Sequence, residues 1–128
     1  MPTTAALFEI ECGDDAIIVT PTKDLGEFDY QQLVAESQEA FDLLDRRTDR
    51  KNVVLDLRNT NYFGSTALGM FVKLWKRVGF RGGRMAFCNV SEFEREVLAA
   101  TRLDTLWSIC ESKSEAVEAV RQSNTCRD

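Results

Sequence analysis

The chain has 128 residues, 44% of them hydrophobic, which suits one compact domain with a core of its own. Its 16 basic and 21 acidic side chains leave a net charge of −5, which disfavours nucleic acid, because phosphate backbones select basic surfaces. No apolar stretch approaches the roughly 20 residues that span a bilayer, so a membrane is not an expected partner.

In chain order, Leu7 to Glu11 and Ala16 to Pro21 predict two strands joined by a Gly13-Asp14-Asp15 turn. A helix is expected from about Asp29 to Arg47, with Leu33, Ser37, Phe41 and Leu44 along one side and several acids on the other. Asn52 to Leu57 is a β-branched and apolar run that suits a central strand covered on both faces, interrupted by Asp56 where the strand ends. In the loop that follows, Tyr62 and Phe63 are expected to point partly inward, whereas an exposed Tyr62 would suit a protein contact. Leu68, Phe71, Val72, Trp75 and Val78 recur at helical spacing and mark a second helix over Ser65 to Val78.

Ser65 and Thr66 stand where that helix begins. A hydroxyl there caps free backbone N–H groups, and the same place favours an added phosphate through the helix dipole and those amides. Lys73, Lys76 and Arg77, followed by Arg81 and Arg84, form a basic patch on an acidic chain. Such a cluster is either a solvated face or a surface that speeds encounter with an acidic partner.

After the Gly82-Gly83 turn, Arg84 to Asn89 predicts another strand. Ser91 caps a helix running to about Ala100, and Glu94 completes a capping box. Leu106 to Cys110 reads as a short last strand. Ser114, with Ser112, opens a final helix to about Arg121, and Gln122 to Asp128 is expected to be a frayed tail. The alternation predicts an α/β fold: a mixed sheet of about five strands with about four helices mainly on one side, in one domain whose core covers about 7–121.

The absence of histidine removes Ser-His and Cys-His catalysis, the usual zinc sites and a phosphohistidine relay within this chain. There is no P-loop and no G-x-G-x-x-G. No catalytic residue, metal or cofactor is expected, and the chain reads as a non-enzyme. Cys12, Cys88, Cys110 and Cys126 form no C-x-x-C pair. The first three are expected to be small buried hydrophobes in strands, and Cys126 to be exposed in the tail. Met1 to Ala6 has no basic region or signal-like apolar core, so the cytoplasm is the default location.

The run Val53-Val54-Leu55-Asp56-Leu57, followed by Gly64-Ser65-Thr66-Ala67-Leu68-Gly69, resembles the STAS domain of bacterial anti-sigma factor antagonists. In that family an apolar strand ending in D-L/F-S precedes a D-S-S/T-G-L-G helix start. The likeness continues through Gly82-Gly83-Arg84-Met85-Ala86-Phe87-Cys88-Asn89-Val90-Ser91, Leu98 to Asp104, and Glu111 to Val117. It spans roughly residues 7 to 121, and Leu25 to Asp29 fits a further segment in order. The sequence departs from the pattern at three places. Gly64 stands where the family has an acid, and Ala67 and Arg102 stand where glycines are common.

The resemblance implies a transcription regulator that works by partner switching. The unphosphorylated domain would bind a GHKL-type serine kinase acting as an anti-sigma factor and so release the sigma factor. Phosphorylation at Ser65, rather than Thr66, would end that binding. Tyr62, Gly64, Ser65, Thr66, Lys73 and Arg77 are the expected partner-binding residues. The alternative is a STAS module that is not phosphorylated and instead assembles with other copies or binds a small ligand such as a nucleotide.

Overall fold

One helix separates each successive pair of parallel strands in the sequence, and such crossovers are right-handed by rule. A computed structural model describes residues 3–4, 8–13, 16–24, 30–46 and 52–123. The strands are β1 (Thr3–Thr4), β2 (Phe8–Cys12), β3 (Ile17–Pro21), β4 (Val53–Asp56), β5 (Met85–Cys88) and β6 (Ser108–Cys110). The helices are α1 (Tyr30–Arg46), α2 (Ser65–Phe80), α3 (Glu92–Ala100) and α4 (Lys113–Ser123), with a 3-10 turn at Leu103–Thr105. The sheet order is β1-β2-β3-β4-β5-β6. β1, β2 and β3 pair antiparallel, and β3 to β6 pair parallel.

Because each crossover moves one strand in the same direction, α1, α2 and α3 all fall on one face. Phe41, Phe71 and Leu98 from those helices share a core with Ile17, Val19, Val53, Leu55, Met85 and Phe87. The other face is covered by α4, where Ala116 and Val120 pack on Ile18, Val54, Ala86 and Cys88. Successive strand residues thus serve opposite layers, and β4 is buried throughout. The mixed sheet with helices mainly on one side is as the sequence predicts, with the two-residue β1 added at the edge.

Several details differ from expectation. On α2 the buried residues are Ala67, Met70, Phe71, Leu74 and Val78. Leu68, Val72 and Trp75 are only partly buried at its flanks. The stripe facing the sheet is therefore rotated from the expected one, because the flanking apolar side chains pack sideways, Trp75 edge-on to Trp107 at 6.4 Å. The last strand is shorter than Leu106–Cys110 because the 3-10 turn and the buried Trp107 precede it. Cys12 is exposed. It shares the parity of buried Phe8 and Ile10 but sits at the hairpin end, beside the Gly13 turn closed by a 2.8 Å bond from its N–H to the Ala16 carbonyl. Cys88 is buried and Cys110 half-buried. Of the α1 side predicted from sequence, Ser37 and Phe41 are buried, whereas the Leu33 and Leu44 side chains lie outside the described residues, as do Leu25 to Asp29 and the tail with Cys126.

The capping box of α3 forms as predicted, with Ser91 Oγ accepting from the Glu94 N–H at 3.2 Å and Glu94 Oε1 accepting from the Ser91 N–H at 2.9 Å. Ser112 rather than Ser114 caps α4, its Oγ accepting from the Glu115 N–H at 3.2 Å. Arg102, at the turn after α3, is left-handed with φ 64°.

Two stability outcomes follow from this packing. Leu74→Ala should cost about 2–5 kcal/mol, more than truncation of half-buried Trp75, whereas Lys76→Ala should stay within about 0.5 kcal/mol. Arg102→Gly should add about 1 kcal/mol, because a left-handed backbone is costly for any residue with a Cβ. Urea denaturation midpoints of the variants measure both.

Candidate partner-binding site

The site lies at the C-terminal ends of the parallel strands, where open α/β sheets gather their functional loops. Buried Asp56 ends β4 and anchors the loop that leads to α2. Its Oδ1 accepts from the Arg58 N–H at 3.1 Å and from Asn89 Nδ2 at 2.9 Å. Its Oδ2 accepts from Arg58 Nε at 2.8 Å, and Arg58 Nη2 lies 2.6 Å away. Burial pushes the Asp56 carboxyl up, but the bonds from Arg58 and Asn89 outweigh it and hold the pKa below the ordinary carboxylate value. Asn89 adopts φ 56° to reach this cluster. The neighbouring Cys88 thiol is pushed up to about 12 by burial and by the Asp56 charge, which keeps it protonated and inert.

A second buried carboxylate holds the middle of the loop. Thr60 Oγ1 donates to Glu94 Oε2 at 2.6 Å, so the capping residue of α3 also clamps the loop before α2. Ser91 Oγ donates to the Asn61 carbonyl at 2.9 Å. From the other side, Asp24 Oδ1 accepts from the Asn61 and Tyr62 N–H groups at 2.8 and 3.3 Å. Phe63 is buried edge-on against Phe71, with ring centroids 5.4 Å apart. Tyr62 turns the other way. It is 40% exposed and lies 5.6 Å from the half-exposed ring of Phe93 on α3.

Gly64 is the N-cap of α2 and supplies no side-chain cap. Ser65 is therefore the first helical residue and not the cap expected from sequence. Its side chain is exposed and makes no hydrogen bond among the described residues, while Thr66 is half-buried. With no side-chain cap from Gly64, the first amides of α2 remain open to a solvent or phosphate oxygen.

Tyr62, Gly64, Ser65 and Thr66 are thus brought together. Lys73 and Arg77 lie farther along the helix, Arg77 about 18 Å from Ser65 at the rise of an α-helix. Arg77 Nη1 donates to Asp45 Oδ2 at 2.6 Å, and its guanidinium lies 5.0 Å above the Phe41 ring. Its charge therefore also docks α2 on α1. Phe93 and Asp24 were not legible as site residues. An exposed aromatic two positions after the Ser91 cap was the available signal for Phe93, and nothing local marks Asp24.

A model of the STAS domain matches residues 14–116. The chain belongs to the STAS domain family. A Thermotoga maritima protein whose name marks it as a candidate anti-sigma factor antagonist is 28% identical over 116 residues, covering 91% of this chain and 99% of that one. The crystal structure of a T. maritima protein described in the same way superposes with a TM-score of 0.77 at 29% identity, covering 89% of this chain and 94% of the other. The fold is also that of the anti-sigma factor antagonist SpoIIAA. In its unphosphorylated form SpoIIAA has a TM-score of 0.74 at 16% identity, covering 90% of this chain and 96% of that one. In the phosphorylated form from Bacillus the TM-score is 0.64 at 17% identity, with 89% and 99% covered. No helix among the described residues of this STAS domain is long and apolar enough to cross a membrane.

The Asp56 cluster gives the STAS domain a defined acid response. Because the folded pKa is lowered, its stabilisation is present above the unfolded carboxylate value and is lost as pH falls through the folded pKa. Asp56→Asn should cost about 1–3 kcal/mol at neutral pH and flatten the acid limb of stability against pH, as followed by denaturation at a series of pH values. In thiol labelling at neutral pH, Cys12 should react in the folded protein, whereas Cys88 should react only on unfolding.

Proposed function

We propose that this STAS domain is a cytoplasmic, non-enzymatic anti-sigma factor antagonist that binds a serine-kinase anti-sigma factor and is switched off by phosphorylation at Ser65. The observation that carries this reading is the Ser65 hydroxyl. It is exposed and makes no hydrogen bond among the described residues, at the start of a helix whose first amides lack a side-chain cap. The loop beside it is pinned from three sides, so the serine is presented on a rigid edge. Exposed Tyr62, three residues before Ser65, and Phe93 beside the Tyr62 ring offer aromatic anchors for a partner. The names of its relatives and the two phosphorylation states of SpoIIAA agree with a switch of this kind.

A phosphate on Ser65 adds about −1.5 to −2 charges. At α2 the charge meets the positive end of the helix dipole, so the domain itself stays folded. Inside a packed interface the same charge must be desolvated without a partner, at a cost of about 2–5 kcal/mol, enough to end binding. Gly64 stands where the family carries an acid beside the serine, and this departure favours the second reading, a STAS module that is not phosphorylated and assembles with other copies or binds a small ligand.

The test pairs the domain with its anti-sigma kinase and ATP and locates the added mass by peptide mass spectrometry. A single phosphate on Ser65 is expected. Phosphate confined to Thr66, or none with a kinase already shown to bind, defeats the reading. Ser65→Asp should weaken kinase binding by tenfold or more, about 1.4 kcal/mol at least. Ser65→Ala should leave binding intact and change stability by no more than about 0.5 kcal/mol, since Ser65 is not the cap. Equal affinities of the two folded variants in calorimetry would refute the charge switch.

A further inference from the structure

A cavity of about 500 Å³ opens at the N-terminal ends of β5 and β6, at the end of the sheet away from Ser65. That volume suits a small organic molecule. Gly79 of α2 helps to line it, about 20 Å from Ser65 along the helix.

The cavity exists because two strands part. β5 is paired with β4 from Met85 onward, but its ladder with β6 starts only at Ala86 and Ser108. Met85 and Trp107 stand just before that start and flank the opening. Gly79, Gly82 and Gly83 leave another part of the wall without side chains. A Cβ on Gly79 or Gly82 would meet nothing within 4 Å. The turn that carries them is tight, with the Gly82 N–H donating to the Gly79 carbonyl and the Gly83 N–H to the Val78 carbonyl, both at 2.9 Å.

The walls combine a flat apolar surface, one cation and unused hydrogen-bonding groups. Both tryptophans of the chain line the cavity, Trp75 half-buried and Trp107 buried. Trp107 stacks on Phe87 at 4.7 Å and meets Trp75 edge-on at 6.4 Å, so Trp75 offers the more open ring to a planar molecule. Arg84 is the one charged residue among the described residues of the wall. Its main chain is pinned, the N–H donating to Asn52 Oδ1 and the carbonyl accepting from the Val53 N–H, both at 2.9 Å. A guanidinium on a fixed root suits a carboxylate. Trp107 Nε1 is buried and has no hydrogen-bond partner among the described residues, although a buried indole N–H ordinarily finds one. The Ser108 hydroxyl makes no hydrogen bond among the described residues either.

We propose that this cavity is a second binding site, for a small planar aromatic acid. The ring packs against Trp75, the carboxylate pairs with Arg84, and a polar substituent on the ring meets the Trp107 N–H or the Ser108 hydroxyl. An aliphatic acid lacks the stacking surface, and a neutral aromatic lacks the charge. The site shares no residue with the loop before Ser65 and stands whatever the state of that serine.

Trp75 and Trp107 are the only tryptophans, so the two indole N–H signals in a proton–nitrogen NMR spectrum report on this cavity alone. Titration of the full chain with para-hydroxybenzoate should move both, together with the Gly79 and Gly83 amides, and leave the Ser65 amide in place. The dissociation constant should be about 1 mM or below. The neutral amide of the same ring, and acetate, should each bind about tenfold more weakly or worse. Arg84→Gln should weaken the acid about tenfold and leave the amide unchanged. Gly79→Leu adds a side chain in open space on a helix, so its denaturation midpoint should match or exceed wild type, while binding falls about tenfold or more as the cavity fills. Indole signals that stay fixed up to about 10 mM acid overturn the proposal. Equal affinity for the acid and its amide, or an affinity that Arg84→Gln and Gly79→Leu both leave unchanged, overturns it as well. Shifts confined to the Ser65 end place the anion on the first turn of α2 and overturn it too.

Discussion

Phe71 fixes the rotation of α2, and with it the direction in which Ser65, the lysines and Phe80 point. Its ring is fully buried. It meets Phe63 edge-on at 5.4 Å and Phe87 at 5.4 Å, and Phe87 stacks on Trp107 at 4.7 Å. This string of rings runs from the loop before Ser65, through the helix and the sheet, to the start of the last strand. A rotation of α2 by one residue would drag Phe71 out of that string and lose about 3–5 kcal/mol of packing. The helix has a single setting, so its exposed stripe is as well defined as its buried one.

The loop before α2 depends on a different kind of constraint. Asp56 and Glu94 are both fully buried, and a buried carboxylate is tolerated only when its oxygens are satisfied. Asp56 is met by Arg58 and Asn89, and Glu94 by Thr60 and the Ser91 N–H. These bonds tie β4, β5 and α3 to one short loop. A network with every member satisfied specifies one geometry and is lost as a unit when one member goes. Rigidity at the strand ends therefore arises from polar groups inside, while Tyr62, Ser65 and Phe93 stand exposed outside.

Much of this was legible in the sequence. The apolar run at Val53 to Leu55 announced a strand covered on both faces, and right-handed crossovers then placed three helices together. Ser91 and Glu94 announced their capping box from spacing alone. The rotation of α2 was not legible, because Ala67, Met70, Leu68 and Val72 are all apolar. Only the position of the neighbouring elements decides which of them faces the sheet and which faces sideways. The cap of α2 was misread for a related reason: a serine and a glycine can both start a helix, and backbone geometry, not residue type, chose Gly64. Asp24 was invisible because its partners are backbone amides far along the chain, at Asn61 and Tyr62.

The two surfaces of α2 are mechanically one object. Ser65 and Thr66 are adjacent, and Thr66 lines the groove between α1 and α2 whose far end is Phe80. The charge of a phosphate on Ser65 would lie within a turn of that groove's edge and would reach both the Tyr62 side and the Lys73 side of the helix. Since Phe71 locks the helix, that influence travels through charge and contact at the shared edge and requires no movement of the fold.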